Sequence, residues 1–220
     1  MRRHLILLVS VCVVLAWSSA ALAAQGPRKI LALGSTAFLS PGAIQAEVVA
    51  DLGSTPLKEI AVIVIANQAF GSLPGPVQQG LEEYVMQGGA LLLAGGPQAF
   101  GGGSYQAVAS VVPFTLRSGS DWRNVPFRLP IALQAGHPIL AGVSFITIGA
   151  INDLGPRPGA TEILQAAGAG IYPLIAEIAA GSGRVIGMAF DLNDLASMRD
   201  RDRFVQNTLE YLLGASQMGR

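Results

Sequence analysis

The sequence is organised around Gly88–Tyr105, which reads GGALLLAGGPQAFGGGSY. Its first half contains Ala90–Ala94, a short apolar run between two Gly-Gly pairs, a pattern typical of a strand buried on both faces. Glycines crowd the turn that follows, and because glycine has no Cβ, the backbone there can approach a ligand or a neighbouring strand closely. Ligands and nucleophiles of α/β sheets lie in loops after the strands, so we expect any site in this loop.

Three further apolar runs of strand length lie along the chain, at Ile30–Leu33, Ile60–Ala66 and Val185–Phe190. Between them, caps and helical spacing predict one helix from Ser40-Pro41 to Gly53 and another from Pro76 to Gly88-Gly89. This alternation predicts an α/β fold, a three-layer αβα sandwich whose mainly parallel sheet is flavodoxin- or Rossmann-like.

The second half of the chain gives weaker patterns. They predict a short helix at Tyr105–Val112, a surface excursion over Arg117–Pro130, a minor strand at Ile131–Leu133, an antiparallel hairpin of Ala160–Ala167 with Tyr172–Ala180, and a closing helix over Asp200–Leu213 that Gly214 ends. Neither a repeat nor a linker interrupts the sequence, so residues 24–220 are expected to form a single domain.

The N-terminus has the three parts of a secretory signal peptide. Met1–His4 is basic, Leu5–Trp17 is apolar, and Ala21–Ala23 is an A-x-A cleavage site. We therefore expect residues 1–23 to be a signal peptide and the mature protein to be periplasmic or extracellular. The alternative is an uncleaved anchor, which would be the chain's only contact with a membrane.

The amino-acid composition limits the partners and the kinds of site that the mature protein is expected to have. Charged residues are only 13% of the chain and the formal net charge is zero, which does not favour a nucleic-acid partner. The only cysteine, Cys12, and one of the two histidines, His4, lie in the predicted signal peptide. His137 is then the sole histidine of the mature protein, which excludes a Cys/His zinc site, and no cofactor or metal is expected.

Three segments together resemble class I glutamine amidotransferase-like domains, and within them a bacterial exported or membrane-linked branch. The segments are Pro76–Tyr105 with its Gln78-Gln79 and its glycine pairs, His137-Pro138-Ile139-Leu140 with Gly142, and Gly183–Leu192 with the terminal Leu209-Glu210-Tyr211-Leu212.

The resemblance implies a catalytic layout that this chain does not keep. Active members carry a cysteine in a G-x-C-x-G-x-Q turn, which falls on Leu92–Gln98 and places Ala94 at the nucleophile position. Their F-H-P-E turn reads Phe190-Asp191-Leu192-Asn193 here, so Asp191 replaces the histidine and Asn193 the glutamate. A methyl group cannot attack an amide carbonyl, so glutamine hydrolysis is not expected.

Other candidate residues have two interpretations each. His137 is either a general base or a loop histidine bonded to backbone, and Ser104 is either a nucleophile or the cap of the next helix. Asp191, Asn193 and Asp194 are either ligands of a hard cation or capping and ion-pairing groups. The residues expected to line a binding crevice are Gly95, Gly96, Gln98, Gly101, Gly103 and Tyr105.

Two functions from different classes follow. The favoured one is a non-catalytic binding or assembly module whose partner is an envelope protein or a small ligand. The alternative is a hydrolase of altered chemistry, in which Ser104 or a water molecule is activated by His137 and Asp191. The second requires these three side chains to lie within hydrogen-bonding distance of one another.

The N-terminal pattern gives the first testable prediction. Mass spectrometry of the protein from its native envelope is expected to find a mature N-terminus near Ala24, because cleavage follows the A-x-A site. Recovery of the intact chain, beginning at Met1, would instead support the anchor.

Overall fold

The computed structural model of the chain describes residues 28–39, 46–128, 130–144, 148–167, 171–197 and 199–218. The strands are β1 (Lys29–Gly34), β2 (Glu47–Val49), β3 (Ile60–Ala66), β4 (Ala90–Ala94), β5 (Phe114–Thr115), β6 (Trp122–Arg128), β7 (Pro130–Ala132), β8 (Ile148–Asn152), β9 (Gly155–Pro156), β10 (Thr161–Ala167), β11 (Ile171–Ala180) and β12 (Gly183–Met188). The α-helices are α1 (Gly75–Met86) and α2 (Arg201–Met218), and short 3-10 helices lie at Leu57–Glu59, Phe70–Ser72, Tyr105–Val108, Pro138–Leu140 and Leu192–Ser197.

Eight strands form one mixed sheet in the order β2-β1-β3-β4-β12-β11-β10-β7. The first five are parallel, and β11, β10 and β7 are added to them as antiparallel pairs. The parallel strands of the centre are apolar along their whole length because neighbouring elements cover both of their faces. Two small antiparallel pairs, β5 with β9 and β6 with β8, lie outside this sheet.

The core has two parts, one on each face of the sheet. On one face, Val77, Leu81 and Val85 of α1 pack with Ile63 and Ile65 of β3. On the other face, apolar residues of α2 pack with the alternate residues of the same strand; they include Phe204, Leu209, Leu212, Val62 and Val64. This alternation follows from the two-residue period of a strand. None of the described helices is long and apolar enough to span a bilayer.

The structure confirms the mixed α/β fold and the four predicted central strands, which are β1, β3, β4 and β12. It also confirms the helix predicted from Pro76, which begins at Gly75, and the antiparallel hairpin of β10 and β11. The sheet is less uniformly parallel than the sequence suggested, since three of its pairings are antiparallel. Each face carries only one of the two described α-helices, so the structure does not confirm the expected three-layer αβα sandwich.

The prediction of a helix ending at Gly53 was wrong. Ser40–Gln45 lie outside the described residues, and Glu47–Val49 form a strand instead. Val48 pairs with Ile30 in parallel, so hydrogen bonding to the sheet overrides the helical spacing.

Three further predictions need correction. The helix expected over Tyr105–Val112 is a single 3-10 turn ending at Val108. The surface excursion contains a strand, β6, which pairs with β8 with a shift of register between Asn124 and Arg128. The closing helix runs past Gly214 to Met218, because Gly214 does not take the left-handed conformation by which glycine ends a helix.

Tyr105 gives a testable prediction for the packing of the glycine loop. Its side chain is buried against Phe70 and Phe100, and its hydroxyl donates to the carbonyl of Gln68 at 2.8 Å. Burial raises the pKa of the Tyr105 hydroxyl well above its usual value. The unfolded chain, where a tyrosine titrates near pH 10, therefore releases this proton first, and the stability contributed is lost as pH rises above about 10.

We expect Tyr105→Phe to lower the free energy of unfolding by about 1 kcal/mol at pH 8, because the hydrogen bond is lost. Urea unfolding should show that the difference in free energy between Tyr105→Phe and the wild type shrinks from about pH 10 to about pH 11, just above the usual tyrosine pKa of roughly 10. The other tyrosines are common to both proteins and cancel in the comparison. A difference that stays constant across this range would contradict the prediction.

Candidate functional site

Ala94, the position that corresponds to the nucleophile, is the last residue of β4 and is buried. It pairs with Ala66 of β3 on one side and with Met188 of β12 on the other. Its carbonyl accepts the backbone N–H of Asn67 at 3.1 Å. The residue is therefore part of the sheet and not an exposed point on a sharp turn.

The loop after β4 begins with two amides that are already hydrogen-bonded inside the protein. The N–H of Gly95 donates to the carbonyls of Met188 and Phe190 at 2.8 and 3.0 Å. The N–H of Gly96 donates to the side-chain oxygen of Asn152 at 2.9 Å, and the amide nitrogen of Asn152 donates back to the carbonyl of Gly96 at 3.1 Å. Neither N–H is directed at open space, as an oxyanion-binding amide would be.

The space over the two glycines is occupied as well. A Cβ at Gly95 would lie 2.4 Å from the side-chain oxygen of Asn152, and one at Gly96 would lie 2.3 Å from Cγ of Asn67. Gly96 also has a φ of 138°, which L residues rarely adopt. Glycine is needed here because the side chains of Asn67, just after β3, and of Asn152, at the end of β8, lie directly against the backbone of the loop.

Asn67 connects this loop to the end of β12. Its side-chain oxygen accepts the N–H of Gln98 at 3.0 Å, and its amide nitrogen donates to Asp191 at 3.2 Å. The backbone of Asn67 is left-handed, with a φ of 45°, a conformation that asparagine tolerates better than most residues. The side chain thereby lies across the carboxyl ends of β3, β4 and β12.

The carboxylate of Asp191 is 8% exposed and accepts hydrogen bonds from amide groups. Its second oxygen accepts from the backbone N–H of Asn193 at 2.8 Å and from the Asn193 side chain at 3.0 Å. Asn193 also donates to the carbonyl of Ser35, which follows β1. Burial, and next the negative charge of Asp191, raise the pKa of Asp194. The described residues include no group of three or more potential metal ligands from His, Cys, Asp and Glu.

A second buried acid holds the far part of the glycine loop. Asp121 accepts the N–H of Gly101 at 2.9 Å and the amide of Asn152 at 2.7 Å. The N–H of Gly103 bonds to carbonyls within the loop, at Ala99 and Phe100. Gly101 and Gly103 therefore direct their N–H groups at protein acceptors, which argues against the anion cradle that a run of glycines suggests.

The candidate catalytic residues Ser104, His137 and Asp191 are not joined by hydrogen bonds within the part of the chain that the structure describes. Ser104 is exposed, with a left-handed φ of 62°, and its hydroxyl does not cap the following turn, so the expected cap is absent. His137 accepts the backbone N–H of Ile139 at Nδ1, as the structural interpretation predicted, and its Nε2 lies 3.3 Å from Glu177. Asp191 bonds to amides of Asn67 and Asn193.

His137 is instead part of a half-buried cluster between the sheet and α2. Its ring contacts that of Tyr211 at 4.8 Å, and the hydroxyl of Tyr211 donates to Glu177 at 2.8 Å. The guanidinium of Arg184 lies 3.5 Å from the same carboxylate and 4.7 Å from the centre of the Tyr211 ring. The charges of Arg184 and Glu177 and the ring of Tyr211 stabilise one another, so the cluster has a structural role.

The sequence did not single out three residues that shape the site: Asn67, Asp121 and Asn152. Asn67 had a usable signal, because it is the first polar residue after the apolar run of β3. Asp121 and Asn152 had none, since the strands next to them, β6 and β8, are not set apart by an apolar run.

No protein-family model matches the chain, and no curated protein matches it by sequence. Solved structures do resemble it. A cytoplasmic protein from Salmonella typhimurium is 17% identical, with a TM-score of 0.69, over 84% of this chain and 99% of that one. A ThuA-like protein from Bacteroides uniformis is 14% identical, with a TM-score of 0.54, over 86% and 93%. A β-galactosidase from Bacillus circulans is 12% identical, with a TM-score of 0.57, over 87% of this chain but 31% of that one.

At these identities the likeness defines the fold alone. ThuA-like proteins have the class I glutamine amidotransferase-like fold, so this likeness supports the fold that the sequence segments suggested. The fold therefore occurs both as nearly a whole protein and as about a third of a glycosidase chain.

Replacing Asn152 tests whether it holds the site together. Asn152→Ala removes three buried hydrogen bonds and leaves the N–H of Gly96 without a partner, while the C=O of Gly96 keeps the N–H of Ala99, so we expect a loss of about 2–4 kcal/mol in the free energy of unfolding. Asn124→Ala, on the exposed part of β6, is the matched control and should change it by less than about 0.5 kcal/mol. Equal effects of the two substitutions in urea unfolding would refute the assigned role.

Proposed function

We propose that the chain is a non-catalytic binding or assembly module, built on a class I glutamine amidotransferase-like scaffold of αβα type and working outside the cytoplasm. The single observation that carries this proposal is the hydrogen bonding of Gly95 and Gly96. In an acyl-transfer enzyme, the amides after the central strand are kept free for the oxyanion of the transition state. Here protein acceptors already take both of them.

The nucleophile position, Ala94, and the general-base position, Asp191, also support the proposed loss of catalysis. Ala94 has no group that can act as a nucleophile, and it is buried within the sheet. Asp191 stands in place of the imidazole that would form a thiolate, and its oxygens accept hydrogen bonds from amides of Asn67 and Asn193. In this proposal, the amides that would bind the oxyanion, the nucleophile position and the general-base position all contribute to the structure and not to catalysis.

The hydrolase alternative lacks such support. It needs Ser104, His137 and Asp191 in one hydrogen-bonded group, and among the described residues each of the two titratable members bonds elsewhere. The carboxylate that Nε2 of His137 contacts is that of Glu177, which also accepts from Tyr211.

The resemblance to part of a glycosidase chain supports the assembly side of the proposal. A fold that makes up 31% of that chain is joined there to a larger body. The partner proposed for the present chain is an envelope protein or a small ligand. The proposed location rests on the N-terminal signal pattern alone.

An ammonia-release assay with glutamine tests the proposal. We expect no release by the purified mature protein, and none from Ala94→Cys alone, because that thiol would have a pKa of about 8.5 or higher without an adjacent imidazole. The matched triple variant combines Ala94→Cys with Asp191→His and Asn193→Glu, which restores the side chains of the triad but not the free amides.

That triple variant should also stay inactive, because Asn152 would still occupy the N–H of Gly96. Circular dichroism should show that each variant is folded before its activity is compared. Ammonia release by the wild-type protein that His137→Ala abolishes would overturn the proposal and assign catalysis to the histidine.

A further inference from the structure

Two exposed arginines converge on one buried carboxylate in the segment that contacts the far part of the glycine loop. Nη2 of Arg117 lies 2.9 Å from Oδ1 of Asp153, and Nε of Arg123 lies 3.0 Å from Oδ2 of the same residue. The side chain of Asp153 is 6% exposed, whereas those of Arg117 and Arg123 are 56% and 60% exposed. The two guanidinium groups therefore meet at one place on the surface, where a single carboxylate offsets only one of their two positive charges.

Each guanidinium group keeps most of its hydrogen-bond donors for a further partner. An arginine side chain has five N–H donors, and one nitrogen of each arginine contacts Asp153. Within the part of the chain that the structure describes, neither guanidinium has another acceptor. Because Asp153 holds both groups in place, a ligand would not have to order two long side chains when it binds, which favours affinity.

The loop between the two arginines directs two peptide N–H groups away from the protein. A Cβ at Gly101 would lie 2.7 Å from the carbonyl oxygens of both Arg117 and Gly119, so these two carbonyls face the glycine loop. In a trans peptide the N–H points opposite to the C=O, and no described peptide bond is cis. The N–H groups of Ser118 and Ser120 therefore point away from Gly101. Both serines are exposed, and neither N–H bonds to a described residue.

These donors suit an anion with more oxygen atoms than a carboxylate has. A guanidinium group binds carboxylates and phosphates through paired N–H groups, and a phosphate monoester offers three oxygens and a charge close to −2 at neutral pH. Two guanidinium groups can each take part of a phosphate group and leave an oxygen for the loop amides. Asp121, at the end of the same loop, is 2% exposed and bonds inwards to Gly101 and Asn152, so its carboxylate is turned away from this surface.

We propose that Arg117 and Arg123 bind a phosphate group, either as free phosphate or as the monoester of a small molecule, with the amides of Ser118 and Ser120 as additional donors. The inference rests on the proposed function, because it assigns a class of ligand to the binding module. It uses neither the nucleophile position nor the general-base position, so the two proposals can fail separately.

The test is a titration of the purified protein with inorganic phosphate, followed by backbone amide NMR at constant ionic strength and at about pH 8, where phosphate carries a charge close to −2. We expect the amide signals of Ser118, Gly119 and Ser120 to shift with a dissociation constant on the order of 1 mM. Acetate, which has one charge and two oxygens, should bind about tenfold more weakly. Methyl phosphate distinguishes the two sources: affinity within about threefold of that of phosphate supports a monoester, and much weaker binding supports free phosphate.

Substitution of the arginines tests their role. Arg117→Gln and Arg123→Gln should each weaken phosphate binding about tenfold, because a charge and its donors are lost. Arg117→Lys and Arg123→Lys keep a positive charge beside the buried Asp153, which preserves the fold, and should weaken binding about threefold, because lysine lacks the planar fork of donors. Arg199→Gln, at an exposed arginine just before α2, is the matched control and should bind phosphate as the wild type does.

The proposal is overturned if phosphate shifts none of the three loop amides, or if acetate binds as tightly as phosphate. It is also overturned if both lysine variants keep the wild-type affinity, or if Arg199→Gln weakens binding as much as Arg123→Gln does. None of these outcomes depends on whether the protein releases ammonia from glutamine.

Discussion

The side-chain amide of Asn152 and the peptide group of Gly96 exchange two hydrogen bonds at the carboxyl end of β4, and much of the surrounding structure depends on this exchange. Asn152 acts as one more peptide unit beside the loop, so the loop is held as a strand would be. Because both groups are buried, loss of either partner would leave polar atoms without hydrogen bonds in a region that water does not reach. The same side chain donates to Asp121, which in turn accepts from Gly101. The side-chain amide of Asn152 thus holds the loop directly at Gly96 and, through Asp121, at Gly101.

This arrangement gives a structural role to the chain between β4 and β10, whose strands lie outside the eight-stranded sheet except for β7. The excursion carries Asp121 and Asn152 to the carboxyl edge, and β6 pairs with β8 so that the two residues arrive together. Asp153, next to Asn152, is buried and lies within 3.0 Å of both Arg117 and Arg123, which offsets its charge. The segment therefore supports the glycine loop.

The carboxyl edge and the opposite edge of the sheet differ in what they leave open. At the carboxyl edge, amides and carboxylates of the protein bond to one another, and the backbone donors point inwards. At the amino edge, Tyr84 is fixed by its own hydrogen bonds and the glycines near it leave a cleft. Strain is concentrated at the first edge, where Asn67, Phe100 and Ser104 have positive φ values. Such strain persists only where surrounding contacts hold it, and the hydrogen bonds of the loop are those contacts.

The sequence by itself determined the central strands, because a strand covered on both faces must be apolar throughout, as Ile60–Ala66 and Ala90–Ala94 are. It also determined that Ala94 cannot be a nucleophile, since this depends only on the chemistry of one side chain. Only the tertiary structure decided that Glu47–Val49 is a strand, because its pairing with β1 outweighs a local helical pattern. The bond of Asn67 to Asp191 joins residues 124 positions apart, and that of Asn152 to Gly96 spans 56. No local pattern encodes such pairs; they form only when the sheet brings its strand ends together.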